Sequence, residues 1–230
     1  MKILPSRLFA GRKPYLGWKL PVALTITVLQ ISLALLATGA GSQSRIPNIP
    51  PTLQARARLI ADGTPMEKLC VWDCLWYWHI AEQGYRSTLP PVPQNPDLAN
   101  VAFFPAIPLA ARAVRTVTGV SWPTALLLVS WLGAVGFWWY LLALLADWGI
   151  RPWVTAFALF AIFAHPASLY LVAGYTESLF LMAVLGFVYW SESARRTERA
   201  FGVAPVMAAL LGFTMSATRI VGIPLAGYPV

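Results

Sequence analysis

The sequence predicts an all-α polytopic membrane protein, and three observations lead to this fold class. Of its 230 residues, 58% are hydrophobic and only 11% are charged, whereas soluble domains carry about 25% charged residues. The apolar residues form long continuous runs, which favour transmembrane helices over the alternating segments of a membrane barrel. The net charge of +8 comes from basic residues beside those runs, as anionic headgroups and the positive-inside rule require, so no nucleic-acid partner is expected.

The first apolar run covers residues 20–38 and is long enough to cross about 30 Å of hydrocarbon. Residues 1–19 carry five basic residues and no acid, so this head is predicted to stay in the cytoplasm. The far end of the helix then emerges on the non-cytoplasmic side. A cleaved secretory signal is the alternative, because small residues follow the run.

Residues 41–100 are predicted to form a large non-cytoplasmic loop that carries the catalytic residues. Prolines near both of its ends interrupt helices. Between them, residues 53–61 space apolar and basic side chains at the helical period, and residues 67–85 are compatible with a helix. We therefore expect two short helices that lie in the membrane interface, separated by a turn.

The remaining residues, 101–230, are predicted to hold the other transmembrane helices. A weaker span at 101–117 has prolines near its start, and Arg112 and Arg115 mark its cytoplasmic end. Clear apolar runs follow at 122–146, 152–164, 167–190 and 201–218, and a last helix begins at 220. The chain stops within this helix, so we expect either a shortened product or a partner subunit that completes the bundle.

The topology of these spans is constrained by three arginines. Counting every run as a crossing places Arg195, Arg196 and Arg199 outside, which contradicts the positive-inside rule. A partial or re-entrant helix between residues 152 and 190 returns these arginines to the cytoplasm, and we favour that arrangement.

The longest polar gap contains the segment 71–86, VWDCLWYWHIAEQGYR. Its one early carboxylate, Asp73, lies among four aromatic residues: Trp72, Trp76, Tyr77 and Trp78. A carboxylate among indoles is partly desolvated, which raises its pKa towards that of a useful proton acceptor. The alternative is structural, with the rings forming an interfacial aromatic belt and Asp73 capping a helix.

Two further charged residues adjoin apolar runs. Glu177 interrupts such a run in GYTESLFLM, so it either lines a cavity, pairs with a cation, or favours a helix start through the macrodipole. Arg219 follows an apolar span in SATRIVG. Its guanidinium suits phosphate or carboxylate binding, and snorkelling towards the headgroups is the alternative.

The two cysteines, Cys70 and Cys74, are four residues apart and would share one face of a helix. Their Cα atoms would then be about 6 Å apart, but helical side chains at this spacing do not usually meet in disulfide geometry. We therefore expect two small buried residues. A metal pair is not expected, because no second cysteine pair follows and His79 is the only nearby histidine.

Four segments resemble a known family: WDCLWYWHIAEQGY (72–85), NVAFFPAIPLAA (100–111), HPASLYLVAGYTESLF (165–180) and SATRIVG (216–222). In their order, their spacing and their residues, these segments are similar to the PIG-V family, the GPI mannosyltransferase 2 enzymes of eukaryotes and their bacterial relatives. The similarity covers essentially the whole chain. The WD-x-x-[WH]-[YF] pattern with IA, GY and a following FFP block is a specific combination.

This resemblance implies a GT-C-like helix bundle that transfers mannose from a polyprenyl- or dolichyl-phosphate carrier to a glycolipid or other hydroxyl acceptor. Transfer would take place on the non-cytoplasmic face of a bacterial plasma membrane or an endoplasmic reticulum, with inversion at the anomeric carbon. The family's functionally important WD pair corresponds to Trp72 and Asp73, which are the expected catalytic residues. Tyr77, Glu177 and Arg219 are the expected substrate-binding residues, with Arg219 on the phosphate and Glu177 on the sugar hydroxyls.

The chain departs from the family in two respects. Some members carry an acid two residues after the aspartate, where this chain has Leu75, so neither a metal nor another cofactor is expected. Members are usually much longer, which keeps a non-catalytic membrane subunit open as an alternative. A transporter is the other alternative, although its spans should contain more polar residues and paired broken helices.

Overall fold

The structure is a computed structural model that describes residues 16–40, 49, 51–85, 100–197 and 201–227. The predicted cytoplasmic head up to residue 15, the proline-rich stretches at 42–48 and 88–96, Arg86, Arg199 and the last three residues lie outside this range. The described residues form helices and no strand, which confirms the all-α prediction. The α-helices are α1 (Leu16–Ala40), α2 (Pro51–Ala61), α3 (Asp73–Gln83), α4 (Ala106–Thr118), α5 (Trp122–Asp147), α6 (Pro152–Ala164), α7 (Glu177–Thr197), α8 (Val203–Thr218) and α9 (Gly222–Leu225).

Two of these helices are long and apolar enough to cross a membrane: Gly17–Thr38 within α1, and Trp122–Asp147, which is α5. They correspond to the predicted spans at 20–38 and 122–146. At 26 residues, α5 is about 39 Å long, which exceeds the roughly 30 Å of a hydrocarbon core. Helices α6 and α8 are apolar but shorter.

Helices α5 and α7 pack closely and run in the same direction. A Cβ atom on Gly133 would lie 2.8 Å from the backbone nitrogen of Leu179, so only glycine allows this approach. Further along both helices, Gly186 faces the ring of Tyr140, and Arg196 pairs with Asp147 at 3.4 Å. A parallel pair needs a return connection, which α6 and the 3-10 segment Pro166–Leu171 provide.

Helix α8 runs back along α7 in the opposite direction. Near the middle of the pair, Gly212 approaches the ring of Phe187, and Gly186 approaches Leu211. At the end of α8, Arg219 donates a hydrogen bond from Nε to Thr176 Oγ1 at 3.1 Å. The start of α7 and the end of α8 therefore meet at one end of the bundle, which we call the Glu177 end.

Helix α1 packs against α5 through a buried polar contact between two otherwise apolar surfaces. The indole Nε1 of Trp138 donates to Gln30 Oε1 at 2.9 Å. Trp138 is fully buried and Gln30 is 4% exposed. A hydrogen bond between side chains that have no access to water gives the pair a defined register, because sliding would leave the indole N–H without a partner.

Two short helices precede the site, as the loop sequence predicts. The first, α2, begins at Pro51, a position where proline costs no helical hydrogen bond. It is joined to α3 by an ion pair between Arg56 Nη2 and Glu82 Oε2 at 2.6 Å. The 3-10 turn Glu67–Leu69 lies between the two helices, and Ser121 donates from Oγ to Glu67 Oε1 at 2.7 Å. This contact fixes the turn at the start of α5.

Helix α4 differs from the predicted span at 101–117. Phe103, just before α4, stacks on Trp76 of α3 with ring centroids 5.7 Å apart. Nearer the other end of α4, Arg112 donates from Nε to the carbonyl oxygen of Ala81 at 2.9 Å, so α4 lies along α3. Its 13 residues make about 20 Å, too short to cross a bilayer. The predicted cytoplasmic end of this segment therefore stays beside α3, and Arg115 donates to the carbonyl oxygen of Val120.

The arginines near the end of α7 were predicted to lie in the cytoplasm, with a partial helix between residues 152 and 190. The chain returns between α5 and α7 through α6, whose 13 residues are shorter than a membrane span, and through the following 3-10 segment. The side of the membrane on which Arg195 and Arg196 lie stays a prediction. Arg196 lies at the opposite end of the bundle from Glu177, where it pairs with Glu192 at 2.9 Å.

We predict that Gly133→Ala lowers the free energy of unfolding by about 1–3 kcal/mol, because its Cβ forces α5 and α7 apart. The matched control is Gly17→Ala in α1, where a Cβ meets nothing within 4 Å and the change should be neutral or stabilising by up to about 1 kcal/mol. Denaturant titration of both variants in detergent micelles measures the difference. Equal stability of the two variants would contradict the close packing of α5 on α7.

Candidate functional site

The chain enters α3 through a disulfide-closed turn. Cys70 follows the 3-10 turn, Cys74 lies in the first turn of α3, and the two form a disulfide with Cα atoms 5.1 Å apart. The prediction of two unbonded buried cysteines was therefore wrong, although both residues are fully buried. It assumed a single helix through both positions, whereas α3 begins only at Asp73. The intervening Trp72 has a φ of 53°, and this reversal of the backbone brings the two sulfurs together.

Asp73 is the first residue of α3, and Trp72 is the residue that precedes the helix. Asp73 therefore does not occupy the capping position that the structural alternative required. Its charge is still favourable here, because the positive end of the helix dipole lies at the first turn. Glu177 occupies the same position in α7. Its negative charge is therefore stabilised by the dipole of α7 as well as by the ion pair described below.

Four of the five predicted site residues come together at the Glu177 end. Arg219 donates from Nη2 to Glu177 Oε1, and from Nε to Thr176 Oγ1 at 3.1 Å. The hydroxyl of Tyr77 forms a hydrogen bond with the side chain of Thr176. Asp73 interacts electrostatically with both Glu177 and Arg219. Residues from α3, α7 and the end of α8 thus form one charged cluster.

The titration of this cluster follows from its burial and its charges. Partial burial raises the pKa of Asp73 above its ordinary value, the negative charge of Glu177 raises it further, and Arg219 opposes both effects. Burial raises the pKa of Tyr77 to about 12. Burial, followed by the charge of Asp73, also raises the pKa of Tyr175. Both phenols therefore remain protonated hydrogen-bond donors beside a carboxylate of increased basicity.

The ion pair leaves binding capacity for a ligand. Glu177 Oε1 accepts from Arg219, whereas Glu177 Oε2 is buried and accepts no hydrogen bond from the described residues. The side chains of Arg219 and Glu177 remain 40% and 29% exposed, and Asp73 is exposed as well. The side chains of all three charged residues are therefore at least partly accessible.

The aromatic surroundings of Asp73 differ from the predicted ring of indoles. Trp72 is 54% exposed, Trp76 stacks on Phe103, and Trp78 is buried with the guanidinium of Arg56 5.6 Å from its ring. The aromatic groups that interact with Asp73 are the tyrosines named above. In the helix, Trp76 and Tyr77 lie one turn after Asp73, whereas Trp78 lies on another face.

The sequence reasoning missed three neighbouring residues, Gly174, Tyr175 and Thr176. They form the short segment before Glu177, and their order shows no helical or strand period. The only available signal was their position between an apolar run and an isolated acid. In the structure Gly174 lies against the disulfide, Tyr175 interacts electrostatically with Asp73, and Thr176 accepts from Arg219.

Two shallow surface pockets lie near the other end of α3 and share Tyr85 in their walls. One also contains Phe103, Phe104 and Pro105, and the other extends towards Arg112 and Leu109. Within the described ranges, no three histidine, cysteine or acidic residues are grouped so that they could hold a metal ion.

We predict that Asp73→Asn raises the free energy of unfolding near neutral pH. A carboxyl group whose pKa is raised by folding disfavours the folded state once it ionises. The native protein binds this proton more tightly, so stability falls as pH rises from the ordinary value of 3.8 through the raised pKa. The advantage of the asparagine variant should vanish below pH 3.8, which unfolding titrations across the acid range can measure. An advantage that is independent of pH would contradict the raised pKa.

No protein-family model, curated protein or solved structure matches this chain. The resemblance to the PIG-V family therefore remains an expectation from the quoted segments. The charged cluster of Asp73, Glu177 and Arg219 does not depend on that resemblance.

Proposed function

We propose that this protein is a GT-C-type membrane glycosyltransferase, similar to the PIG-V enzymes, that transfers mannose from a polyprenyl-phosphate carrier to a hydroxyl acceptor. The observation that carries this proposal is the grouping of Asp73, Glu177 and Arg219. These residues are far apart in sequence, yet they form one accessible cluster at the end of an apolar helix bundle. A base, an acceptor of hydroxyl protons and a guanidinium are the groups that this reaction needs.

In the proposed reaction, Asp73 acts as the general base. The acceptor hydroxyl attacks the anomeric carbon as its proton passes to Asp73, and the bond from that carbon to the phosphate oxygen breaks. Attack from the face opposite the leaving group inverts the anomeric configuration. The raised pKa of Asp73 favours this role, because a base is most effective when its pKa approaches the working pH.

Arg219 and Glu177 are proposed to hold the donor. The planar guanidinium binds phosphate oxygens in a bidentate manner and stabilises the negative charge that develops on the leaving phosphate. Glu177 then accepts hydrogen bonds from sugar hydroxyls, a role supported by the partial exposure of its side chain. Tyr77 and Thr176 keep both side chains oriented, and the exposed Trp72 provides an apolar face for the sugar ring.

We also propose that the Glu177 end of the bundle faces the non-cytoplasmic side of a multi-pass membrane protein. A disulfide persists in oxidising compartments, and the Cys70–Cys74 bridge lies at this end. Arg195 and Arg196 lie at the opposite end, as the positive-inside rule requires of a cytoplasmic face. The apolar flanks of α5 and α8 let the carrier lipid remain in the bilayer while its sugar reaches the cluster.

We expect Asp73→Asn to lower the transfer of mannose by about 10²–10⁴-fold, because the acceptor proton loses its base. The assay follows radiolabelled mannose from polyprenyl-phosphate mannose into lipid in vesicles that contain the protein. Asp62→Asn is the matched control, since Asp62 is an exposed residue directly after α2. Undiminished transfer by Asp73→Asn would exclude the proposed base, and absence of transfer by the unaltered protein would favour a non-catalytic subunit.

The proposed orientation predicts which residues face the cell exterior or lumen. A cysteine at Arg58, which is exposed near the site, should react with a membrane-impermeant maleimide in sealed cells or vesicles of known orientation. A cysteine at Arg195, exposed at the other end, should react only after permeabilisation. The reverse pattern would place the Glu177 end in the cytoplasm and contradict the proposal.

A further inference from the structure

We propose that the Cys70–Cys74 disulfide, seated on Gly174, is a positioning device that holds Asp73 opposite the Glu177–Arg219 ion pair. The inference deepens the proposed function, and it rests on that function for the role of Asp73. The position of the disulfide on Gly174 follows from contacts among the described residues. It assigns a role in the site to two cysteines and a glycine that do not themselves contact a substrate.

The disulfide closes a ring that contains Asp73. The bond joins residues 70 and 74, so Asp73 lies inside the ring, adjacent in sequence to one of the bonded cysteines. Trp72, also in the ring, has a φ of 53°, a conformation that persists only where the surrounding contacts impose it. The start of α3 is thus constrained covalently at the residue that carries the proposed base.

The ring is seated on Gly174. A Cβ atom at this position would lie 3.0 Å from Cys74 Cβ and 3.6 Å from Cys70 Sγ, and it would overlap Cys74 Sγ. Both cysteines are fully buried. Beside this contact, the backbone nitrogen of Gly174 donates to the carbonyl oxygen of Leu69 at 3.4 Å. The absence of a side chain at Gly174 therefore allows the disulfide to dock.

The seat is rigid, and it is continuous with the rest of the site. Trp131 of α5 donates from Nε1 to the carbonyl oxygen of Val172 at 2.8 Å. Ser130 donates from Oγ to the carbonyl oxygen of Tyr175 at 3.1 Å. Two anchors on α5 thus flank Gly174, and Glu177 follows directly afterwards. The disulfide connects the base to the segment that carries the donor-binding pair.

The first experiment measures amide hydrogen exchange and needs no activity. The full-length protein in micelles is compared with and without a dithiol reductant, which converts the bridge to two thiols and is itself oxidised to a disulfide. The Cys70→Ser, Cys74→Ser double variant is measured as well, because it lacks the disulfide even if the reductant does not reach the buried bond. We expect faster exchange in both 70–76 and 172–177, with α5 unchanged. Faster exchange confined to 70–76, or extending through α5, would overturn the proposal.

The second experiment separates positioning from general stability through kinetics. In the double cysteine variant, kcat should fall by about 100-fold, because a small displacement of a catalytic group has an effect of this size. The KM for polyprenyl-phosphate mannose should stay within about twofold, because Arg219 still contacts Glu177 directly when the bridge is absent. An unchanged kcat, or a loss confined to KM, would overturn the proposal. Absence of transfer by the oxidised protein would refute the proposed function alone, since the exchange experiment still decides the positioning.

The third experiment tests the seat with a double-mutant cycle. Gly174→Ala should speed exchange at 70–76 in the natural protein. In a Cys70→Ala, Cys74→Ala background, where the overlapping sulfur is absent, the same substitution should have a much smaller effect. Gly17→Ala, which meets open space, is the matched control for glycine replacement. Equal effects of Gly174→Ala in both backgrounds would contradict the packing of the disulfide against Gly174.

Discussion

The ion pair between Glu177 and Arg219 is the interaction on which the candidate site depends. It joins the first residue of α7 to the residue that directly follows α8, so it also fixes how these two antiparallel helices meet. Removing two charges from water is costly, and a pair of this kind persists when further hydrogen bonds satisfy its members. Thr176 supplies one such bond to Arg219. Both side chains of the pair stay partly exposed, and this combination of stability and accessibility is what a ligand site requires.

The position of that pair follows from glycine contacts deeper in the bundle. Gly133, Gly186 and Gly212 let α5, α7 and α8 approach at close range, in the way that small residues support helix packing within membranes. Because α5 and α7 are parallel, with Gly133 beside Leu179 and Asp147 paired with Arg196, the start of α7 and its charged end lie at opposite ends of the length that the two helices share.

The surface helices α2, α3 and α4 form a second layer at the Glu177 end. They share an apolar core, and polar and aromatic contacts add to it: Arg56 with Glu82, Arg112 with the backbone of α3, and Phe103 with Trp76. These contacts orient α3, and the disulfide sets the position of its first turn. A carboxylate on a short surface helix has a defined place relative to the bundle only when such connections exist, because short helices have little stability of their own.

The sequence by itself determined the helical class, the two long apolar helices, the two short helices before the site, and Asp73, Glu177 and Arg219 as the charged residues of interest. These depend on composition, on local period and on the rarity of charge in apolar runs, all of which are properties of adjacent residues. Only the tertiary structure decided that α4 lies along α3, that Tyr175 interacts with Asp73, and that Cys70 bonds to Cys74. Each of these depends on a backbone direction or a distant partner. The predicted span at 101–117 was long enough to suggest a crossing, and its shortening to the 13 residues of α4 depends on contacts with α3. A turn at Trp72 changes which side chains meet without changing their spacing in sequence.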